Sequence, residues 1–240
     1  MKKLTFLLAL TLTAFTMKAQ SADEVVEKYL KAVGGADKWK KLESMVATGK
    51  GEMQGMSFPI VMTTMRPNSI KMEVDVQGSK IVQPSFDGTT AWTVNPFGGA
   101  AEPTKMDEEA TKDLARNNFE DEFIDYKTKG HVVTLEGTEE AEGTKCFKLK
   151  IVLKQGGEKI YFMDVENFIP IMVREFAMTG PNKGQASEVV MGDYKEVDGM
   201  MMPHSIEQKA AGQTQFVMKI EKVEVNAKVD KAIFAFPAKN

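Results

Sequence analysis
Two histidines, one cysteine and several carboxylate runs are the residues of this 240-residue chain from which acid–base, nucleophilic or metal chemistry would have to be built. His131 and His204 each begin a strand-like stretch, and neither stands beside a cysteine or a spaced pair of acids. Zinc hydrolysis needs about three clustered ligands, so a metal site is not expected. Cys146 lies in Lys145-Cys146-Phe147-Lys148-Leu149, an alternating stretch in which a small core-facing residue is the ordinary reading. Being single, it forms no intramolecular disulfide. The runs Asp107-Glu108-Glu109 and Glu120-Asp121-Glu122 read as solvated charges complementing helix starts rather than as an acid/base pair. The signatures G-x-S-x-G, G-x-x-x-x-G-K-[ST] and S-x-x-K are absent. Trp39 and Trp92, the two tryptophans, are few for a sugar-stacking glycosidase. The expectation is a protein that is not an enzyme and uses no cofactor.

Methionine is the compositional signal instead: the chain holds 17, of which 15 follow Met17. Many fall on strand-like stretches, among them Met53, Met56, Met62, Met72, Met172 and Met218. An unbranched, polarizable side chain repacks around variable apolar ligands such as acyl chains. A methionine-rich core is the plainer alternative.

The elements that would position these residues follow from periodicity. From Ala22, the residues Val25, Val26, Tyr29, Leu30 and Val33 recur on one helical face, and Gly34-Gly35 ends the run. A short second helix spans Ala36 to Leu42. Beyond Ser44 the period becomes two, with Met72, Val74 and Val76 on one face of their strand and Lys71, Glu73 and Asp75 on the other. Further strands are expected near 44–54, 57–65, 80–86, 89–95, 131–139, 145–154, 158–165, 171–178, 187–196, 202–209 and 214–225. Together with the Met72 strand this makes twelve, joined by short turns such as Asp87-Gly88 and Asp198-Gly199, an antiparallel meander rather than a βαβ fold. Lys105 to Tyr126 is acidic and helix-favouring, with Leu114, Ala115, Phe119 and Phe123 spaced for one apolar side. It divides the strands into five and seven. Pro96, Gly98, Gly99 and Pro103 make its approach a flexible loop, so the helix is placed as a movable cover over a curved sheet.

Composition fits a globular chain, with 42% hydrophobic and 27% charged residues. The front differs: Lys2 and Lys3 precede the apolar run Leu4 to Phe15 and the small-residue site Met17-Lys18-Ala19, which is the pattern of a secretory signal peptide. Cleavage after Ala19 leaves residues 20–240, read as one domain. Its net charge falls from −3 to −6, because the leader carries three bases and no acid. Such a chain is a poor candidate for nucleic acid or an anionic membrane surface. No cysteine stands directly after the leader, so acylation of the mature N-terminus is not expected, and a soluble periplasmic location is.

Arg66-Pro67-Asn68, followed after a strand by Ser85-Phe86-Asp87-Gly88-Thr89-Thr90-Ala91-Trp92-Thr93-Val94-Asn95-Pro96-Phe97, resembles the outer-membrane lipoprotein carrier family (LolA/LolB-like). The second half is similar too, in Tyr161-Phe162-Met163-Asp164, Ile169-Pro170-Ile171, Asp193-Tyr194, Val197-Asp198-Gly199 and the closing Ile233-Phe234-Ala235-Phe236-Pro237. The resemblance implies an α+β, mainly antiparallel fold: an incomplete, half-open β-barrel of about eleven strands, with helices over an apolar concavity. It implies acylated lipoprotein or lipid as cargo, with an inner-membrane release complex and an outer-membrane acceptor as partners. The alternating apolar positions Met62, Met72, Val74, Trp92, Val94, Phe162, Met172 and Phe176 are then the candidate cavity, with Leu114 and Phe119 on the lid. Arg66, matching the family's arginine, is the candidate fastener of that lid. Relatives that sense mislocalised lipoproteins leave a second reading, an envelope sensor or scaffold that binds a protein segment.

Overall fold
The computed structural model describes residues 20–116, 119–180 and 182–238; the expected leader, residues 1–19, lies outside the described residues. Helix α1 (Ala22–Ala32) starts at a capping box, in which the Ser21 hydroxyl accepts from Glu24 N at 3.2 Å and the Glu24 carboxylate accepts from Ser21 N at 2.8 Å. It ends at Gly34, whose φ of 103° and close approach to Gly199 leave no room for a Cβ. Helix α2 (Ala36–Lys40) follows, then one sheet of thirteen antiparallel strands.

The first six strands are β1 (Ser44–Met53), β2 (Met56–Met65), β3 (Ser69–Val76), β4 (Ser79–Phe86), β5 (Ala91–Asn95) and β6 (Ala100–Lys105). The connection to the second half holds α3 (Glu108–Arg116) and the short α4 (Tyr126–Lys129). The other seven are β7 (Val132–Ala141), β8 (Thr144–Val152), β9 (Glu158–Asp164), β10 (Pro170–Phe176), β11 (Ala186–Val197), β12 (Met200–Ala210) and β13 (Gln213–Val225). Each half is a meander, and β1 pairs with β13 to join them, leaving β6 and β7 as the unpaired edges of an open barrel. At this joint Gly49 faces Ile220, and a Cβ on it would meet Lys219 O at 2.0 Å, so the register shift between Thr48 and Gly49 depends on glycine.

The expected meander and half-open barrel are present, with two differences. Strand β6 occupies the segment read as a flexible loop, so the division is six and seven rather than five and seven. Gly99, at φ 83°, turns the chain back after the turn Pro96–Gly98, and Pro103, which has no N–H to donate, is tolerated because β6 is an edge strand with no outer neighbour that would need one. Of the helix expected over Lys105–Tyr126, the described residues show Glu108–Arg116, and the chain is not helical from residue 119 to 125. Farther on, the Asp121 carboxylate accepts from Phe123 N at 2.8 Å and Asp125 takes φ 51°, local geometry that no α-helix accommodates.

Partner positions in an antiparallel ladder share a face, so the register assigns every strand residue to one of two surfaces. Helix α1 packs Val25, Val26, Tyr29 and Val33 on Leu149, Ile151, Leu153 and Met163, which defines the concave face. That face runs from Leu149 through Tyr161, Val173 and Val189 to Gln208 and Phe216, and on to Met72.

Candidate functional site
The two ends of the concave face differ. At the end where α1 and α2 lie, Leu42, Met200 and Met202 form a buried cluster with Trp39, Val197, Val223 and Phe119. At the other end, beyond Ala47, Ile60, Met218 and Ile220, no α-helix among the described residues covers the sheet, and a cleft of about 720 Å³ remains. Met72, Val74, Ile81, Phe58 and Phe216 line it, and Met53, Met56 and Phe97 stand at its mouth with 42%, 49% and 66% of their surfaces exposed. Its volume lies within the roughly 300–1,000 Å³ of small-molecule sites, and its lining is dominated by thioether and phenyl groups that adapt to an apolar guest.

Three of the eight candidate cavity residues are on this face together. Met72 and Val74 line the cleft, and Met62, opposite Met72, packs on its floor. Four others are on the outer face. Trp92 pairs with Ser85, which pairs with Lys71, and Val94 pairs with Val82, which pairs with Glu73, so both face away from Met72. They are covered there by the C-terminal segment: Phe234 O accepts from Trp92 Nε1 at 2.8 Å and from Ser85 Oγ at 3.1 Å, and Phe236 meets the indole edge-on. Phe162 and Met172 are partners in a separate outer cluster with Ala141 and Cys146. Strand β9 is apolar on both sides, Tyr161 and Met163 facing in and Phe162 facing out, so alternation alone carried no direction. Phe176 lies at the end of β10 and lines a smaller cavity of about 380 Å³ with Asp113, Arg116, Lys159 and Glu175.

The lid residues separate similarly. Leu114 is half-buried on α3, a helix with no buried residue. Phe119 lies under Arg66, whose guanidinium carbon is 5.3 Å from the ring centroid. Arg66 Nε donates to Leu42 O at 2.6 Å, Nη2 to Trp39 O at 2.8 Å, and Nη1 to Glu120 Oε1 at 3.0 Å. One side chain thus ties the end of α2 to the 119–126 segment, and Phe119 N donates to Pro67 O beside it at 3.2 Å.

Glu120-Asp121-Glu122, read from sequence as a solvated run, is turned inward. Glu120 also pairs with Lys129 at 2.7 Å. Burial opposes its ionisation, but Lys129 and Arg66 outweigh that and hold the carboxyl below its usual range. Asp121 accepts from the Tyr29 hydroxyl, and burial pushes its carboxyl up to about 6. Glu122 accepts from the Tyr161 hydroxyl and pairs with Lys159 at 2.5 Å. Burial also lifts the Tyr29 and Tyr161 phenols well above their ordinary value, the neighbouring carboxylates adding to it. Phe123, between Tyr29 and Tyr161 at centroid distances of 5.5 and 4.7 Å, completes the insertion. These partners come from α1, the β2–β3 turn, β9 and α4, and no local sequence pattern joins them.

Beside this latch a polar opening is lined by Arg66, Glu120, Lys129, His131 and Gln155. His131 Nδ1 accepts from Lys154 N at 3.2 Å, and burial followed by the Lys129 charge holds its pKa below the usual value. Among the described residues no three His, Cys, Asp or Glu side chains converge as a metal would require, and no helix is long and apolar enough to cross a membrane.

No family model matches the chain, and no curated protein matches it in sequence. Solved structures share its fold. A candidate outer membrane lipoprotein-sorting protein domain from Vibrio parahaemolyticus is similar at TM-score 0.57 and 11% identity, over 89% of this chain and 97% of that one. A DUF1329 family protein from Desulfovibrio piger gives TM-score 0.59 at 9% identity, covering 89% and 97%. A LolA superfamily protein from Nitrosomonas europaea gives 0.54 at 13%, covering 90% and 98%. The open, curled sheet is therefore the fold that these three structures share.

Proposed function
We propose that this protein is a periplasmic carrier that shelters the acyl chains of a lipoprotein, or of a lipid, on the concave face of its sheet and moves them toward the outer membrane. The observation that supports this most is the uncovered cleft of about 720 Å³, walled by methionine and phenylalanine and opening to solvent. A mouth that exposes Met53, Met56 and Phe97 is costly in water unless something apolar visits it. Burying an acyl chain there gains about 0.8 kcal/mol per CH₂, enough to hold cargo without covalent chemistry. Sharing a fold with a lipoprotein-sorting domain and a LolA superfamily protein is consistent with this reading. Its partners would be an inner-membrane complex that releases the cargo and an outer-membrane acceptor.

In this account Arg66 fastens the 119–126 segment over the helix end of the concave face, and cargo entering from the cleft competes for the same apolar floor. Loading would loosen the Arg66 contacts, and their return would favour release. The test is purification of the mature chain from the periplasm, organic extraction and mass spectrometry of what was bound, with Arg66→Leu beside it. Acyl chains at stoichiometric amounts, retained longer by Arg66→Leu, are expected. An empty cleft that also ignores added acylated protein would contradict the proposal and favour a sensor or scaffold.

A further inference from the structure
The cleft carries no charge. Among the described residues, the side chains that line it are apolar or are carboxamides, and there are four of the latter: Gln77, Gln83, Asn95 and Gln208. Each stands where the regular strand geometry fails. Gln83 and Pro84 together oppose Met72, because the ladder steps from Val82↔Glu73 to Ser85↔Lys71. Gln208 precedes the shift at Lys209, Asn95 follows the shift after Thr93, and Gln77 takes φ 54° in the β3–β4 turn. A bulge re-aims side chains that a regular ladder would space evenly. Here the irregularities set neutral hydrogen-bonding groups around an apolar floor.

Asn95 Oδ1 accepts from Gly98 N at 3.0 Å, whereas no hydrogen bond within the described residues engages the side chains of Gln77, Gln83 or Gln208. A carboxamide offers both a donor and an acceptor, so it can satisfy an amide, an ester carbonyl or a hydroxyl. It offers no countercharge. A carboxylate or phosphate drawn into the cleft would lose its hydration without an ionic partner, a cost of several kcal/mol in general.

From the amides at the rim and the uncharged lining, we infer that the cleft selects uncharged acyl groups joined through an amide or ester, and discriminates against free fatty acids and other lipids that would bring an anionic head into it. This rests on the carrier reading above and deepens it: the cargo end that enters is a neutral acyl linkage, with any charged portion kept outside the mouth.

The experiment is displacement of the neutral dye N-phenyl-1-naphthylamine from the mature chain by palmitamide and by palmitate, which have the same chain length and differ in charge. At about pH 8, with palmitate ionised, palmitamide is expected to displace the dye at about ten-fold lower concentration or less. Gln208→Lys, which sets a cation at an exposed rim position, should tighten palmitate by about ten-fold and so remove the preference for palmitamide. A Gln83→Leu/Gln208→Leu chain should keep the dye and bind palmitamide less tightly, because the hydrogen-bonding partners are lost while the lining stays uncharged. Equal or tighter binding of palmitate to the unaltered chain overturns the selectivity while leaving the carrier standing. A chain that binds neither the dye nor either ligand overturns both.

Discussion
Helix α3 and the 119–126 segment belong to one connection, yet they are held in opposite ways. Segment 119–126 is inserted: Phe123 and Ile124 are 1% and 0% exposed, and its three consecutive carboxylates each meet a hydroxyl or a cation from another element. Helix α3 rests on the rim, where, among the described residues, Thr179 Oγ1 donates to Asp113 Oδ2 at 2.5 Å and Gly180 N to Glu109 at 3.0 Å. In the proposed carrier this connection is a cover: burial would supply its anchor, and the two rim hydrogen bonds, one part-buried and one exposed, would be its weaker attachment.

The sharpest way to break that difference is Phe123→Ala. Removing a fully buried ring flanked by two tyrosines should cost about 3–5 kcal/mol in denaturant unfolding. A loss below about 1 kcal/mol would mean the segment is not anchored there.

Asp121→Asn sharpens it through pH. The folded carboxyl titrates at about 6 against 3.8 for the free group, so between those values the folded chain holds a proton that the unfolded chain has lost. Asp121 therefore lends stability that is fully present below 3.8 and falls as pH rises through about 6. Glu120 acts in the opposite sense, its contribution being present at neutral pH and lost on acidification. Measured across that window, the stability difference between Asp121→Asn and the unaltered chain should grow in favour of the variant as pH rises. A constant difference would show that Asp121 does not titrate within the latch.

Thr179→Ala is the smallest change. It removes one rim tie of α3 and should alter global stability by less than about 0.5 kcal/mol, while hydrogen exchange within Glu108–Arg116 quickens. Unaltered exchange would show that α3 is held by something other than this rim.

The same contrast explains what could be read from sequence. Period-two alternation in Lys71–Val76 and the run Val25 to Val33 set the strands, the first helix and the core-facing sides of both, because one wet face leaves a signature. The open barrel came from the order of short motifs. Where both faces are dry, as at Tyr161, Phe162 and Met163, the alternation vanishes, and Phe162 and Met172, expected in the cavity, lie on the outer face. Trp92 and Val94, expected in the cavity with Met72, lie on the opposite face, which is dry because the segment around Phe234 and Phe236 returns to cover it. Glu120-Asp121-Glu122 looked solvated because its partners, Tyr29, Arg66, Lys159 and Tyr161, are scattered over the chain and meet only in the folded sheet. Arg66 was identified through a resemblance, since nothing in its immediate neighbours requires Trp39 and Leu42 to present their carbonyls to it.

The central claim is that acyl chains occupy the concave cleft, and photocrosslinking tests it most directly. A palmitoyl probe with a diazirine along its chain would be bound to the mature protein, irradiated, and located by peptide mass spectrometry. The account predicts labels on the peptides that carry Met53, Met56, Met72 and Phe216. Labels on the outer-face peptides around Phe162 and Met172, with none in the cleft, would contradict it.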